Sequence, residues 1–237
     1  MPNIRRPPVQ FARGRAYHAR SDLASDGFRR YAPDVITFAG NGEPTMHPDF
    51  EAIIDDTIVL RDEICPSARI SVLSNATQIG RESVRRALRR VDNNILKLDS
   101  AFDDTVRLIN NPCGTYSVAE VVKNMKLFDG QMILQTMFLR GECEGRTVDN
   151  TTEREVAAWL KLVEEIRPRQ VMVYSLDRDT PCKTLQKSPA KICRRSLPGS
   201  RRWESPARWR NAKKSDGGIS GPFGEFVDRT LFIVCII

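Results

Sequence analysis

The chain has no run of eighteen apolar residues, so no membrane span is expected. It has no C-x-x-C pair either: its six cysteines, Cys65, Cys113, Cys143, Cys182, Cys193 and Cys235, stand at least 11 positions apart, which excludes the usual metal-ligand spacings. Cysteines scattered this thinly over 237 residues argue for reduced thiols in a cytoplasmic setting rather than a disulfide framework. There is no G-x-G-x-x-G and no P-loop lysine, so a glycine-rich turn that cradles phosphate is not indicated. The first thirty residues are basic but lack the apolar stretch of a secretory signal.

The net charge of +7 suggests nucleic acid until it is divided along the chain. Residues 1–30 hold seven arginines and two aspartates, and residues 183–237 hold twelve Lys/Arg against four Asp/Glu, so the stretch between them is acidic. Two basic ends are weaker evidence for RNA than a basic face on a folded surface. The composition divides the chain at the same places. Residues 1–33 are rich in Arg and Pro and show no period, and residues 183–237 are Arg-, Ser- and Gly-rich and are expected to be disordered or poorly ordered. The closing "LFIVCII" is either an added strand or an aggregation-prone end.

Residues 34–182 alternate between two textures. Short β-favouring runs at 34–38, 69–73, 94–98, 131–137 and 170–175 read as strands. Helical stripes stand between them. Pro48 suits a first helical position before Phe50, Ile53, Ile54 and Ile58, and Val84, Ala87, Leu88 and Val91 follow at helical spacing. Ser117 with Glu120 and Thr152 with Glu155 read as capping boxes. Strands alternating with helices predict βαβ units and a parallel sheet or barrel.

Ligands in such folds bind at the carboxyl ends of the strands. Each predicted strand here runs into a polar cluster: "GNGEPT", "SNAT", "KLDS", "QTMFLRGE" and "YSLDRDTP". Gly40 and Gly42 allow close backbone approach, and Glu43 sets a carboxylate at the rim. It suits a ligand ammonium or simply a tight, solvated turn. Lys97 and Asp99 flank Leu98 and so point to one side, either to bind a polar ligand or to form a structural ion pair. Asn75 and Gln135 are neutral orienting groups suited to hydroxyls and amides; Asp177 and Asp179 bracket Arg178 in a loop that is salt-bridged or substrate-facing. His47 reads as a helix-start residue.

Six blocks, "ITFAGNGEPTMHPDF", "SVLSNAT", "ILKLDS", "QTMFLRGE", "VDNTTEREVAAW" and "VMVYSLDRDTP", together resemble the radical S-adenosylmethionine enzymes over residues 34–182. The nearest branch by this resemblance is the iron–sulfur oxidoreductases related to wyosine-type tRNA-modifying enzymes. It implies a partial (β/α) parallel barrel, here missing its first strand and so exposing a sheet edge. It also implies S-adenosylmethionine as cofactor, an unknown substrate, and a [4Fe–4S] cluster held by C-x3-C-x2-C. By the same resemblance, residues 40–44 (Gly40, Gly42, Glu43 and Pro44 among them) hold the methionyl amine. Asn75, Lys97, Asp99, Ser100 and Gln135 line the pocket, and the backbone at Tyr174 and Ser175 faces the adenine. The cysteine motif is absent from this sequence. The resemblance therefore implies a truncated or frame-shifted enzyme impaired in catalysis; the alternative is a non-catalytic binding protein whose basic ends hold RNA or another acidic partner.

Overall fold

A computed structural model describes residues 33–39, 42–143, 145–175, 184–187 and 230–233. The strands expected from the sequence are all present: β1 (Val35–Phe38), β2 (Arg69–Ser74), β3 (Asn93–Lys97), β4 (Ile133–Cys143) and β6 (Gln170–Ser175). They run parallel in the order β1, β2, β3, β4, β6. Strand β4 runs six residues further than expected. Beyond Phe138 it leaves the parallel ladder and pairs antiparallel with β5 (Arg146–Asp149) and β7 (Gln186–Lys187).

The expected bare edge at β1 is not bare. Strand β8 (Thr230–Ile233) pairs with it in parallel, Val35 opposite Thr230 through Phe38 opposite Ile233. Of the two readings of "LFIVCII", the added strand holds for its first residues, and β8 takes the edge beside β1. Within β4, residues 133–135 lie inside the sheet with parallel partners on both sides. Residues 1–32 and 188–229, with the basic charge they carry, lie outside the described residues, as do Gly40, Asp177, Arg178 and Asp179.

Register sorts the strand residues into two faces. Ile36 and Phe38, Ile70 and Val72, Leu96, Leu134 and Phe138 face the helices and are at most 5% exposed. Helix α1 (Phe50–Ile64) begins after Asp49, two residues later than Pro48, and His47 Nδ1 accepts from Asp49 N–H at the helix start. Helix α2 spans Glu82–Leu88. Helix α3 (Asp103–Asn110) carries a single buried apolar residue, Val106, too thin a stripe to be read from sequence. Helix α4 (Val118–Lys126) is capped by Ser117, whose Oγ accepts from Glu120 N–H. The chain leaves it through Gly130 at φ +76°, where an added Cβ would stand 2.5 Å from the Arg167 carbonyl oxygen.

Helix α5 (Glu153–Ile166) buries Trp159, Val163 and Ile166, and Thr152 Oγ1 caps Glu155 N–H. The Glu155 side chain does not complete a capping box. It is buried and accepts hydrogen bonds from Ser100 Oγ and Thr105 Oγ1, both at 2.6 Å, tying α5 to the loop after β3 and to α3. Of the described cysteines, Cys65 and Cys113 are free and Cys143 is disulfide-bonded.

One core residue breaks the polar rule. Asn94, on the helix-facing side of β3, is 1% exposed, and neither its Oδ1 nor its Nδ2 has a partner among the described residues. A buried amide without partners costs about 1–3 kcal/mol. Asn94→Leu is therefore expected to raise the urea midpoint at unchanged m-value; a lower midpoint would refute this account of the site.

Candidate functional site at the carboxyl ends of the strands

Among the described residues, polar groups from the ends of β1, β2, β3 and β4 lie at one end of the sheet, and most of them hold one another. Glu43 follows β1 and caps the short 3-10 helix Pro44–Met46, with Pro44 buried at its first position. Its Oε1 accepts from Thr45 N–H at 3.1 Å and from Thr45 Oγ1 at 2.5 Å. Its Oε2 accepts from the Asn75 backbone N–H at 2.7 Å, bolting the loop after β1 to the loop after β2. A carboxylate offers roughly four lone-pair directions, so about one remains, on Oε2. Asn75 spends its side-chain oxygen on Thr77 N–H and Oγ1 and keeps its amide N–H groups unengaged among the described residues.

The densest cluster surrounds Asp99, whose side chain is wholly inaccessible. Its Oδ1 accepts from Met137 N–H at 2.7 Å, and its Oδ2 takes the Asn110 amide and the Lys97 ammonium, each at 2.9 Å. Lys97 also donates to Asn110 Oδ1 at 2.5 Å. Two of its three N–H donors are thereby used, and the side chain is still 24% exposed. Asp99 is a structural anchor; Lys97 is the member of the pair that still reaches the mouth.

Gln135 is the register partner of Lys97 on β4, and its Nε2 rests on the Met172 sulfur at 3.9 Å, leaving the amide oxygen unengaged among the described residues. Tyr174, next along β6, is largely buried. Burial first, and then the nearby Asp99 carboxylate, push its hydroxyl pKa well above the ordinary tyrosine value. The same causes, with Asp103 added, act on Tyr116. Both hydroxyls therefore stay protonated donors at neutral pH, close to Asp99.

Ser100 is not at the mouth. Its hydroxyl, on a residue 1% exposed, donates to Glu155 and accepts from Phe102 N–H in the helix layer. Gly42 is half-buried in the loop ahead of Glu43, and Ser175 pairs through its backbone with Phe138. Among the described residues, no group of three or more His, Cys, Asp or Glu side chains converges as metal ligands would, and no helix is long and apolar enough to cross a membrane.

Sequence reasoning missed Asn110, Tyr116 and Asn150. Asn150, 1% exposed, donates to the Asp99 and Met137 carbonyls and accepts from Leu139 N–H. It thereby holds the point where β4 switches partners. The one available signal was Asn150 inside the "VDNTT" block, an amide standing just before the Thr152 cap.

No protein-family model matches the chain. It is 30% identical over 164 residues to UPF0026 protein slr1464 of Synechocystis sp., covering 68% of this chain and 56% of that protein. It is 27% identical over 141 residues to UPF0026 protein MJ1312 of Methanocaldococcus jannaschii, covering 58% of this chain and 40% of that protein. Among solved structures, a domain of pyruvate-formate lyase-activating enzyme from Bacteroides vulgatus aligns with TM-score 0.49 and 16% identity, over 68% of this chain and 88% of that one. The chain thus spans little more than half of the first UPF0026 relative and two fifths of the second.

Proposed function

We propose that this chain is part of a radical S-adenosylmethionine protein of UPF0026 kind, and that its carboxyl-end mouth binds the amino-acid end of S-adenosylmethionine. One observation carries the reading. Glu43 keeps one acceptor position and Lys97 keeps one donor, each fixed by its other bonds, so a zwitterion's ammonium and carboxylate both find a partner. The resemblance of the six ordered sequence blocks and the similarity to the UPF0026 proteins support it. In this reading Gln135 and Asn75 offer an amide oxygen and an amide N–H to the nucleoside, and the mouth excludes water behind Tyr174. Gly40, Gly42, Pro44 and Ser175 contribute backbone; Asp99 positions Lys97, and Ser100 drops out of the contact set.

When bound, S-adenosylmethionine supplies a sulfonium whose reductive cleavage yields a carbon radical. The [4Fe–4S] cluster that would deliver the electron does not fit the residues present, because the chain has no C-x3-C-x2-C. No step is therefore derived through it. The chain as it stands binds the cofactor weakly and does not cleave it. The wyosine-type branch gains nothing from the UPF0026 relatives and is set aside.

Calorimetric titration with S-adenosylmethionine tests the binding half. Lys97→Met is expected to weaken the affinity by about tenfold or more, the worth of one charge-assisted bond. Wild-type protein that gives no heat, or a variant that binds equally well, ends the reading. Anaerobic iron–sulfide reconstitution followed by EPR tests the other half. A stoichiometric [4Fe–4S] signal accompanied by 5′-deoxyadenosine would overturn it.

A further inference from the structure

The opposite end of the sheet holds a second polar site that the proposed cofactor mouth does not use. Thr37, Ser71 and Asn93 are register neighbours on β1, β2 and β3 and share the concave face. Asn93 Nδ2 donates to Ser71 Oγ at 2.9 Å. Arg69, two residues before Ser71, projects on the same face. Below them lies a cavity of about 490 Å³ lined by Arg69, Asp92, Asn93, Arg169 and Gln170. The depression is open to solvent, with Arg69, Asp92 and Arg169 exposed along it.

Charge at this cavity is not balanced. Arg169 donates through Nη2 to the Asp92 carbonyl and to Asn93 Oδ1, which fixes its plane and leaves its other N–H groups for a ligand. The Asp92 carboxylate is already engaged: its Oδ2 accepts from Ile70 N–H at 2.7 Å and from Arg61 at 3.2 Å. Arg61 is shared with Asp62. Arg61 thus answers the Asp92 carboxylate, while of the two arginines that line the cavity Arg169 meets only neutral oxygens and the Arg69 guanidinium has no hydrogen bond or ion pair among the described residues.

We propose that this cavity binds a small oxyanion, a phosphate- or carboxylate-bearing metabolite. Arg69 and Arg169 grip the anionic group, and the Asn93 and Gln170 amides read its neutral part. Guanidinium forks match the two parallel oxygens of phosphate and carboxylate. The site is built on strand starts and a fixed arginine rather than on a loop, and it lies at the far end of the sheet from Lys97, so its ligand is independent of the cofactor.

The thermal unfolding midpoint, followed at constant ionic strength, provides the test, with inorganic phosphate, ribose 5-phosphate and citrate as probes. Wild-type protein is expected to gain several degrees at saturation with at least one of them. Arg69→Gln should weaken that ligand by about tenfold or more. Arg69→Lys keeps the charge but loses the fork and should fall between. Arg107→Gln, on an exposed side chain of α3, removes the same charge and should bind as wild type does. The strongest of the three probes identifies phosphate or carboxylate as the recognised group. No shift with any probe, or an equal shift in Arg69→Gln, overturns the proposal.

Discussion

Asp99→Ala is expected to destabilise the protein by about 3–5 kcal/mol, the cost of removing one partner from a buried ion pair. The size follows from what is orphaned. Met137 N–H and one Asn110 donor lose their acceptor where the carboxylate was wholly inaccessible, and the partly exposed Lys97 ammonium loses one of its two partners. Coulomb attraction across 2.9 Å matters less here than the unmet desolvation of the groups left behind. Removing both charges together therefore behaves differently. Lys97→Met combined with Asp99→Leu should recover only the share due to the unpaired ammonium, since Met137 N–H and the Asn110 amide still lack their acceptor. Urea unfolding of the two single variants and the double variant reads this as a coupling energy. An Asp99→Ala midpoint within about 0.5 kcal/mol of wild type, the scatter of an ordinary surface change, would show that the anchor is not one.

The sheet was legible in the sequence because parallel strands buried on both faces leave continuous β-branched and aliphatic runs. "ITF", "RISVL" and "QVMVY" have no other economical reading, and Ser117 and Thr152 announce helices through backbone caps that act within three residues. Long-range partners were not legible. Nothing in "LFIVCII" says that it will lie beside Val35–Phe38, since pairing across nearly two hundred residues leaves no local trace. Glu155 shows the same limit in a single side chain. Its position three after Thr152 fits a cap, and only the fold reveals that Ser100 and Thr105 arrive to claim its oxygens.

The site was half legible for a related reason. Residue types at strand ends are a local property, so Glu43, Asn75, Lys97, Asp99 and Gln135 could be gathered from the chain alone. Which of them spends its hydrogen bonds inward is a property of the assembled loops. Glu43 gives three of its acceptor positions to Thr45 and Asn75, and Asp99 gives all its accessible surface to Asn110, Lys97 and Met137. The groups left facing outward are the unspent remainder: one oxygen direction on Glu43, one N–H on Lys97 and the free amide ends of Asn75 and Gln135.

Trp159→Ala is the second large loss expected, about 3–5 kcal/mol for an emptied aromatic site in a core. The ring is 1% exposed and meets Phe138 edge-on, with centroids 5.3 Å apart at 76°. Its Nε1–H donates to the Leu98 carbonyl at 3.2 Å. That carbonyl also accepts from Thr136 Oγ1 at 2.8 Å, so losing the indole donor alone does not orphan it. Trp159→Phe, which keeps most of the volume, should therefore cost only about 1–2 kcal/mol, one net hydrogen bond and a small void. Leu98 is the residue between Lys97 and Asp99, so the indole also fixes the strand end from which the proposed cofactor contact projects. A folded Trp159→Phe protein is expected to bind S-adenosylmethionine less tightly while leaving the oxyanion cavity at the other end unchanged. If thermal titration instead finds both ligands weakened alike, the indole supports the sheet as a whole and holds no special place at the mouth.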